Sequence, residues 1–227
     1  MNDWRELLYP LGFLSAIAFS LRMLIQWLSS EAKGKSIVIP LFWKLSLAGN
    51  VLLALHAFIQ IQFHVCIIQV GNAIISWRNL NLMQGTSKQI SLRSTLILLG
   101  GCLFATLLGF TLQSHFLESG SQEWFRIPAA PWQQENSYHI AFGWHIMGFF
   151  GLALFSSRFW IQWWCAERHH ASYLGPAFWW MSLIGESLCL IYFFHINDPV
   201  NYIGPLFALI PYTRNLILLN KQKQEFG

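Results

Sequence analysis

Charge is scarce in this chain of 227 residues: Asp, Glu, Lys and Arg together make up 11%, against 55% hydrophobic residues. So little charge excludes a solvated surface of ordinary extent, and with it a soluble domain of average composition. The four cysteines, Cys66, Cys102, Cys165 and Cys189, form no C-x-x-C pair and keep no ligand spacing with histidine, which excludes a zinc site and a disulfide framework. The eight histidines, His169-His170 among them, are scattered without metal-ligand geometry, so no metal and no cofactor is expected. Basic runs and nucleic-acid modules are missing too, so the net charge of +4 speaks of membrane orientation rather than of a nucleic-acid partner. The first residues, Met1-Asn2-Asp3-Trp4-Arg5-Glu6, lack a positive n-region, and no small-residue cleavage site ends the first apolar stretch. That stretch is expected to be retained as a helix.

What the chain has in abundance is long apolar runs, with a mean hydropathy of +0.43. A membrane-crossing helix needs about 20 apolar residues. Seven windows qualify, at residues 7–29, 37–60, 63–82, 94–113, 139–164, 173–196 and 199–219. Seven crossings put the termini on opposite sides and sort the charges. Lys33, Lys35, Arg78, Lys88, Arg93, Arg168, Arg214, Lys221 and Lys223 share one face. Arg5 and Arg126 fall on the other, with Asp3, Glu6, Glu118, Glu123, Glu135 and Asp198. The positive-inside rule then sets the N-terminus outside and the C-terminus in the cytoplasm. Arg22, Lys44 and Arg158 remain inside spans.

The sequence also repeats itself. An ungapped shift of 136 positions carries Arg22 onto Arg158, Gln26-Trp27 onto Gln162-Trp163, Glu31 onto Glu167, and Ser36 onto Ser172. It likewise carries Pro40 onto Pro176, Phe42-Trp43 onto Phe178-Trp179, Ser46 onto Ser182, Gly49 onto Gly185, and Arg78-Asn79-Leu80 onto Arg214-Asn215-Leu216. Self-similarity at one offset over this length is the mark of a duplication. Each copy holds three spans, an odd number, and the unrepeated span at 94–113 restores a common orientation. The expected fold is therefore an all-α integral membrane protein of seven transmembrane helices, two parallel triple-helix bundles joined by a linker helix. Its parts are residues 1–83 for the first bundle, 84–138 for the linker helix and outer loop, and 139–227 for the second bundle and tail.

Several polar residues inside spans are candidates for binding a ligand. Arg22 and Gln26 lie one helical turn apart, as do Arg158 and Gln162, so each pair shares a face. An arginine at mid-bilayer costs about 2.5–3.5 kcal/mol on insertion scales. It is offset either by a phosphate or phosphosugar headgroup, which guanidinium geometry suits, or by an ion pair with Glu31 or Glu167, or by snorkelling. Glu31 and Glu167 could equally pair with Arg78 and Arg214 and clamp the bundle ends. The duplicated Arg78-Asn79 and Arg214-Asn215 read either as positive-inside anchors or as headgroup contacts. Trp43, Ser46 and Asn50 form a polar stripe matched by Trp179, Ser182 and Glu186. Gln69, Asn72, Ser76 and Asn79 form a longer one, facing either a cavity or another helix. Trp43 and Trp179 are candidates for stacking on a sugar, and Glu186, where the first copy has Asn50, for proton linkage. The remaining tryptophans read as interfacial anchors, and the prolines at 40, 176, 205 and 211 as helix breaks or hinges.

The string Gln26-Trp27, Ser30-Glu31, Lys33-Gly34-Lys35-Ser36, Pro40, Phe42-Trp43, Ser46, Gly49 and Arg78-Asn79-Leu80 resembles the lipid A biosynthesis N-terminal domain. The second copy matches through its own Gln162-Trp163, Glu167, Ser172, Pro176, Phe178-Trp179, Ser182, Gly185 and Arg214-Asn215-Leu216. In chlamydiae and some other bacteria this domain precedes lipid-A-disaccharide synthase. The resemblance implies a role in lipopolysaccharide biosynthesis, an anionic phosphoglycolipid as ligand, and a cytoplasmic glycosyltransferase domain or protein as partner. The longest stretch outside the spans, about 25 residues at 114–138, cannot hold a sugar-nucleotide enzyme. The arrangement is also similar to SWEET and PQ-loop transporters, although the prolines here stand in the second helix of each bundle rather than the first. That similarity implies an alternative, a transporter or flippase of a sugar or lipid-linked sugar.

Overall fold

A computed structural model describes residues 11–116, 141–195 and 199–226, together with Arg5, Leu8 and Trp124. Among them are seven α-helices and no strand: α1 (Leu11–Lys33), α2 (Pro40–Ile59), α3 (Phe63–Leu82), α4 (Leu92–Phe116), α5 (Phe142–His169), α6 (Pro176–His195) and α7 (Pro199–Phe226). A short 3-10 turn, Thr86–Lys88, precedes α4. Each helix overlaps one of the seven apolar windows. Four stretches, Gly12–Lys33, Pro40–Ile59, Thr86–Phe116 and Pro176–His195, are long and apolar enough to cross a membrane. In α3 and α5 the polar residues of the repeat lower the apolar content, which is why length alone does not qualify them.

The helix ends follow from local chemistry. Pro40 and Pro176 are the first residues of α2 and α6, where a missing N–H costs nothing and the fixed φ suits the helix. These two prolines open helices rather than bend them. α1 ends where Gly34 takes φ +62°, with Gly34 N donating to Glu31 O at 3.1 Å and Lys35 N to Ser30 O at 3.2 Å. This paired closure satisfies carbonyls the helix leaves open. At the matching place in the second copy His170 adopts φ +49°, and its amide and that of Ala171 reach Glu167 O and Ala166 O.

The chain divides into two compact units, Met1–Arg22 with Pro40–Gln133, and Met23–Ile39 with Gln134–Gly227. In the first, α2 packs on α3 and α3 on α4; in the second, α5 packs on α6 and α6 on α7. In the first unit Ala54, Ala57, Ile61, Cys66 and Phe110 form an apolar core, bordered by Phe58, Phe63 and Trp124. Arg5 Nη1 bonds Ile59 O nearby.

The distribution of polarity is inverted relative to a soluble protein. Along α1, Leu14, Ile17, Leu21, Leu24 and Leu28 are exposed, while Ser15, Arg22, Gln26 and Ser30 are buried. Elsewhere Asn50, Asn72, Ser76, Asn79, Gln162, Ser182, Glu186 and Asn215 lie inside, and Ile97, Phe104, Phe149, Ile184 and Phe207 outside. In water this would leave a large apolar surface exposed; in lipid it hides these polar groups from the hydrocarbon.

Candidate functional site

The duplicated interior is built around two arginines. In the first unit Arg22 Nη1 donates to Ser46 Oγ at 3.1 Å, and the guanidinium lies 4.7 Å from the Phe19 ring and 5.5 Å from that of Phe42. In the second, Arg158 Nη1 donates to Ser182 Oγ at 3.2 Å and to the Tyr212 hydroxyl at 3.3 Å. Rings of Phe155, Phe159 and Phe178 surround it at 3.4, 5.0 and 5.4 Å. Helical spacing explains both boxes. Phe19 and Phe155 stand three residues before their arginines on the same face, and Phe42 and Phe178 come from the next helix. Arg158 is 2% exposed, its Nε has no hydrogen-bond partner, and it forms no ion pair among the described residues. Cation–π contacts of about 0.5–2 kcal/mol each offset much of its burial while leaving its charge uncancelled.

Gln26 and Asn215, both fully buried in the second unit, bond reciprocally. Gln26 Nε2 donates to Asn215 Oδ1 at 2.8 Å and Asn215 Nδ2 to Gln26 Oε1 at 3.1 Å. Ser36 Oγ also donates to Asn215 Oδ1 at 2.8 Å, and Asn215 Nδ2 to Pro211 O at 2.8 Å. Gln26 Nε2 further reaches Ser30 Oγ and Ile37 O. Ser30 belongs to the family string without a role there, and Ile37 was not singled out from sequence; Ser30 stands one turn after Gln26, which is the signal that could have given it one. In the second copy Gln162 Nε2 reaches Tyr173 O at 3.1 Å, the counterpart of the Ile37 contact.

Glu31 receives Arg214, through Arg214 Nε to Oε1 and Nη2 to Oε2, the latter at 3.0 Å, and also Trp27 Nε1 at 3.1 Å. Of the alternatives open to Glu31, the clamp with Arg214 is thus the one present. Glu167 receives Trp163 Nε1 at 2.8 Å. Arg78 is buried and donates to Asn81 Oδ1 at 2.7 Å and Ile90 O at 2.6 Å, while Asn81 also binds Ile90 N and Lys88 O. These bonds staple the loop between α3 and α4. Asn79 Nδ2 caps Ile75 O at 3.0 Å.

Trp43 and Trp179 are both wholly buried, edge-on to Phe42 and Phe178 respectively, and Trp179 Nε1 donates to Leu174 O. Neither presents an open ring face for a sugar in this conformation. Asn50 Nδ2 donates to Ser76 Oγ at 3.1 Å. Beside that pair, Asn72 Oδ1 and Gln69 Oε1 are buried without a hydrogen-bond partner. Glu186, in Asn50's place in the second copy, is buried as well. Among the described residues no group of three His, Cys, Asp or Glu side chains could hold a metal ion.

The family model of the lipid A biosynthesis N-terminal domain matches residues 11–81 and again 147–217, segments related by the offset of the internal repeat. The chain belongs to this family. Both arginine boxes, both buried tryptophans and both Arg-Asn pairs fall within the matched segments. A lipid-A-disaccharide synthase of Chlamydia felis is 38% identical over 223 residues, covering 96% of this chain and 34% of that protein. Those of Chlamydia pneumoniae and Chlamydia trachomatis serovar D are 38% and 32% identical over 220 residues, covering 96% and 95% of this chain and 34% of each relative. The chain thus spans about one third of the length of the curated relatives it matches. No solved structure matches it.

Proposed function

We propose that this lipid A biosynthesis N-terminal domain protein is a seven-span module of the bacterial inner membrane that binds a phosphoglycolipid precursor of lipid A and presents it to a glycosyltransferase at the cytoplasmic face. In this reading each copy of the repeat supplies three spans, and α4 is the helix that links them. The observation that carries the reading is the twice-built arginine, buried in a lipid-facing fold and held by a serine and aromatic rings. Arg158, which forms no ion pair among the described residues, offers a guanidinium whose geometry suits a phosphate. Arg22 and Arg158 meet phosphate once the bundle opens, and the apolar outer faces carry the acyl chains. Arg78, Arg214 and their asparagines hold the cytoplasmic ends in register. The relatives named as synthases extend well beyond the part matched here, which supports a separate enzymatic portion acting on the presented lipid.

Lipids extracted from the detergent-purified protein test this reading by mass spectrometry. A phosphoglycolipid retained by wild type and lost from an Arg22→Ala/Arg158→Ala variant that still folds supports it; equal retention, or none in either, refutes it. One observation favours a second reading. The buried, unpartnered oxygens of Asn72 and Gln69 suit a polar path for a sugar. Under that reading, transport or flipping in proteoliposomes is lost on Asn72→Leu or Glu186→Leu.

A further inference from the structure

Lys44 is the one basic residue inside a span that the arginine boxes and loop contacts do not use. It lies on the exposed face of α2, on a stripe with Leu41, Ala48, Val51 and Leu55 at helical spacing. In lipid, this places an ammonium on the hydrocarbon side of a candidate membrane span, close to the end that the basic residues assign to the cytoplasm. It has no ion pair or hydrogen bond among the described residues. Beside it opens a cavity of about 360 Å³, lined by Pro40, Lys44, Trp77, Leu80, Asn81, Met83 and Gln84. The lining holds one cation and no acid. Its volume is at the small end of the roughly 300–1,000 Å³ typical of ligand sites, which fits a headgroup rather than a whole lipid.

The repeat shows that the fold does not require this lysine. The position equivalent to Lys44 is Trp180, itself exposed, and those equivalent to Trp77 and Asn81 are Thr213 and Ile217. At these positions the cation and the Trp77 indole are thus features of the first copy alone, while Gln84 has an amide counterpart in Asn220. We propose that this cavity binds the phosphate of an anionic membrane lipid. Lys44 meets the phosphate, Gln84 the polar part of the headgroup, and Trp77 packs at its apolar side. The acyl chain runs outside along Ala48, Val51 and Leu55, and this continuous apolar stripe is what selects a lipid over a soluble phosphate. Neither Arg22 nor Arg158 lines the cavity, so the inference does not rest on the proposed function.

Native mass spectrometry of the full chain, titrated with dioleoyl phosphatidic acid, dioleoylglycerol or inorganic phosphate, tests it. Lys44→Trp installs the residue the other copy tolerates, Lys44→Gln removes the charge with little change in length, and Lys44→Arg keeps the charge. Phosphatidic acid is expected to bind wild type and Lys44→Arg alike and Lys44→Trp and Lys44→Gln about five- to tenfold more weakly. Dioleoylglycerol should not distinguish the variants, and the Arg22→Ala/Arg158→Ala variant should keep the site. Undiminished phosphatidic acid binding by both uncharged variants overturns the proposal. Displacement by equimolar inorganic phosphate would replace the lipid with a soluble anion and overturn it equally.

Discussion

Replacing Asn215 with alanine removes a side chain that is wholly buried and engaged at every polar atom, accepting from Gln26 and Ser36 and donating to Gln26 and Pro211. The variant leaves Gln26 Oε1 without the donor it had. Hydrogen bonds between helices in membranes average about 0.6 kcal/mol and reach about 1.7. A buried acceptor stranded by the loss of its partner adds about 1–3 kcal/mol. The sum for Asn215→Ala is about 2–5 kcal/mol, which at this chain length lowers the melting temperature by roughly 4–20 °C. Gln26→Ala strands the same network from the other side, so the double variant should cost about 1–2 kcal/mol less than the two single changes added. Thermal unfolding of the detergent-solubilised protein, followed by circular dichroism across the four-member cycle, reads all three numbers. Strictly additive effects, or single variants that melt within about 1 °C of wild type, would refute the latch, because the hydrogen bonds would then carry no energy of their own. The same cycle bears on function: a residue that acts as a latch weakens ligand binding only in proportion to the stability it removes.

Other predictions follow from the repeat and from topology. A Cβ on Gly185 would stand 2.9 Å from Phe155 N and 3.0 Å from Gly151 O, both backbone atoms of α5, whereas one on Gly49 meets the Phe19 ring at 2.6 Å. Gly185→Ala should therefore force α5 and α6 apart and cost about 1–3 kcal/mol in thermal unfolding. Gly49→Ala should cost less, by turning the ring, and in doing so should loosen the box around Arg22. Glu31→Gln breaks a pair whose side chains are 40% and 32% exposed, so it should leave the melting temperature nearly unchanged and leave binding unchanged in a lipid co-purification assay. In a cysteine-free background, a cysteine placed at Lys88 or His170 should react only with a membrane-permeant maleimide, and one at Gln133 with an impermeant reagent as well; the reverse pattern would invert the orientation.

Seven helices were legible because apolar length and helical length nearly coincide, and they part where the physics differs. The apolar window of α1 closes at residue 29, yet the helix runs to Lys33, since Ser30-Glu31-Ala32 keep the backbone ladder until Gly34 turns it. The duplication was legible at single-residue resolution and fixed the pairs that matter: Arg22 with Arg158, Ser46 with Ser182, Trp43 with Trp179. The aromatic boxes were written in the same register, through Phe19 and Phe155, and went unread because a phenylalanine in a span looks like lipid-facing filler. The Gln26–Asn215 latch was hidden for another reason. Its members come from different copies, and spacing within one copy says nothing about a bond to the other. The burial of both tryptophan rings was equally out of reach, because a repeated Trp is as consistent with a packing anchor as with a sugar platform.

Binding of a defined ligand tests the central claim most directly. In nanodiscs, the affinity of the purified chain for a phosphoglycolipid precursor of lipid A would be compared with that for the same lipid after its phosphate is removed, in wild type and in Arg22→Ala/Arg158→Ala. Charge-assisted hydrogen bonds of about 1.5–3 kcal/mol predict at least tenfold tighter binding of the phosphorylated form by wild type, and a loss of that preference in the variant. Equal affinity for the two lipids, or a preference that survives Arg22→Ala/Arg158→Ala, would contradict the account.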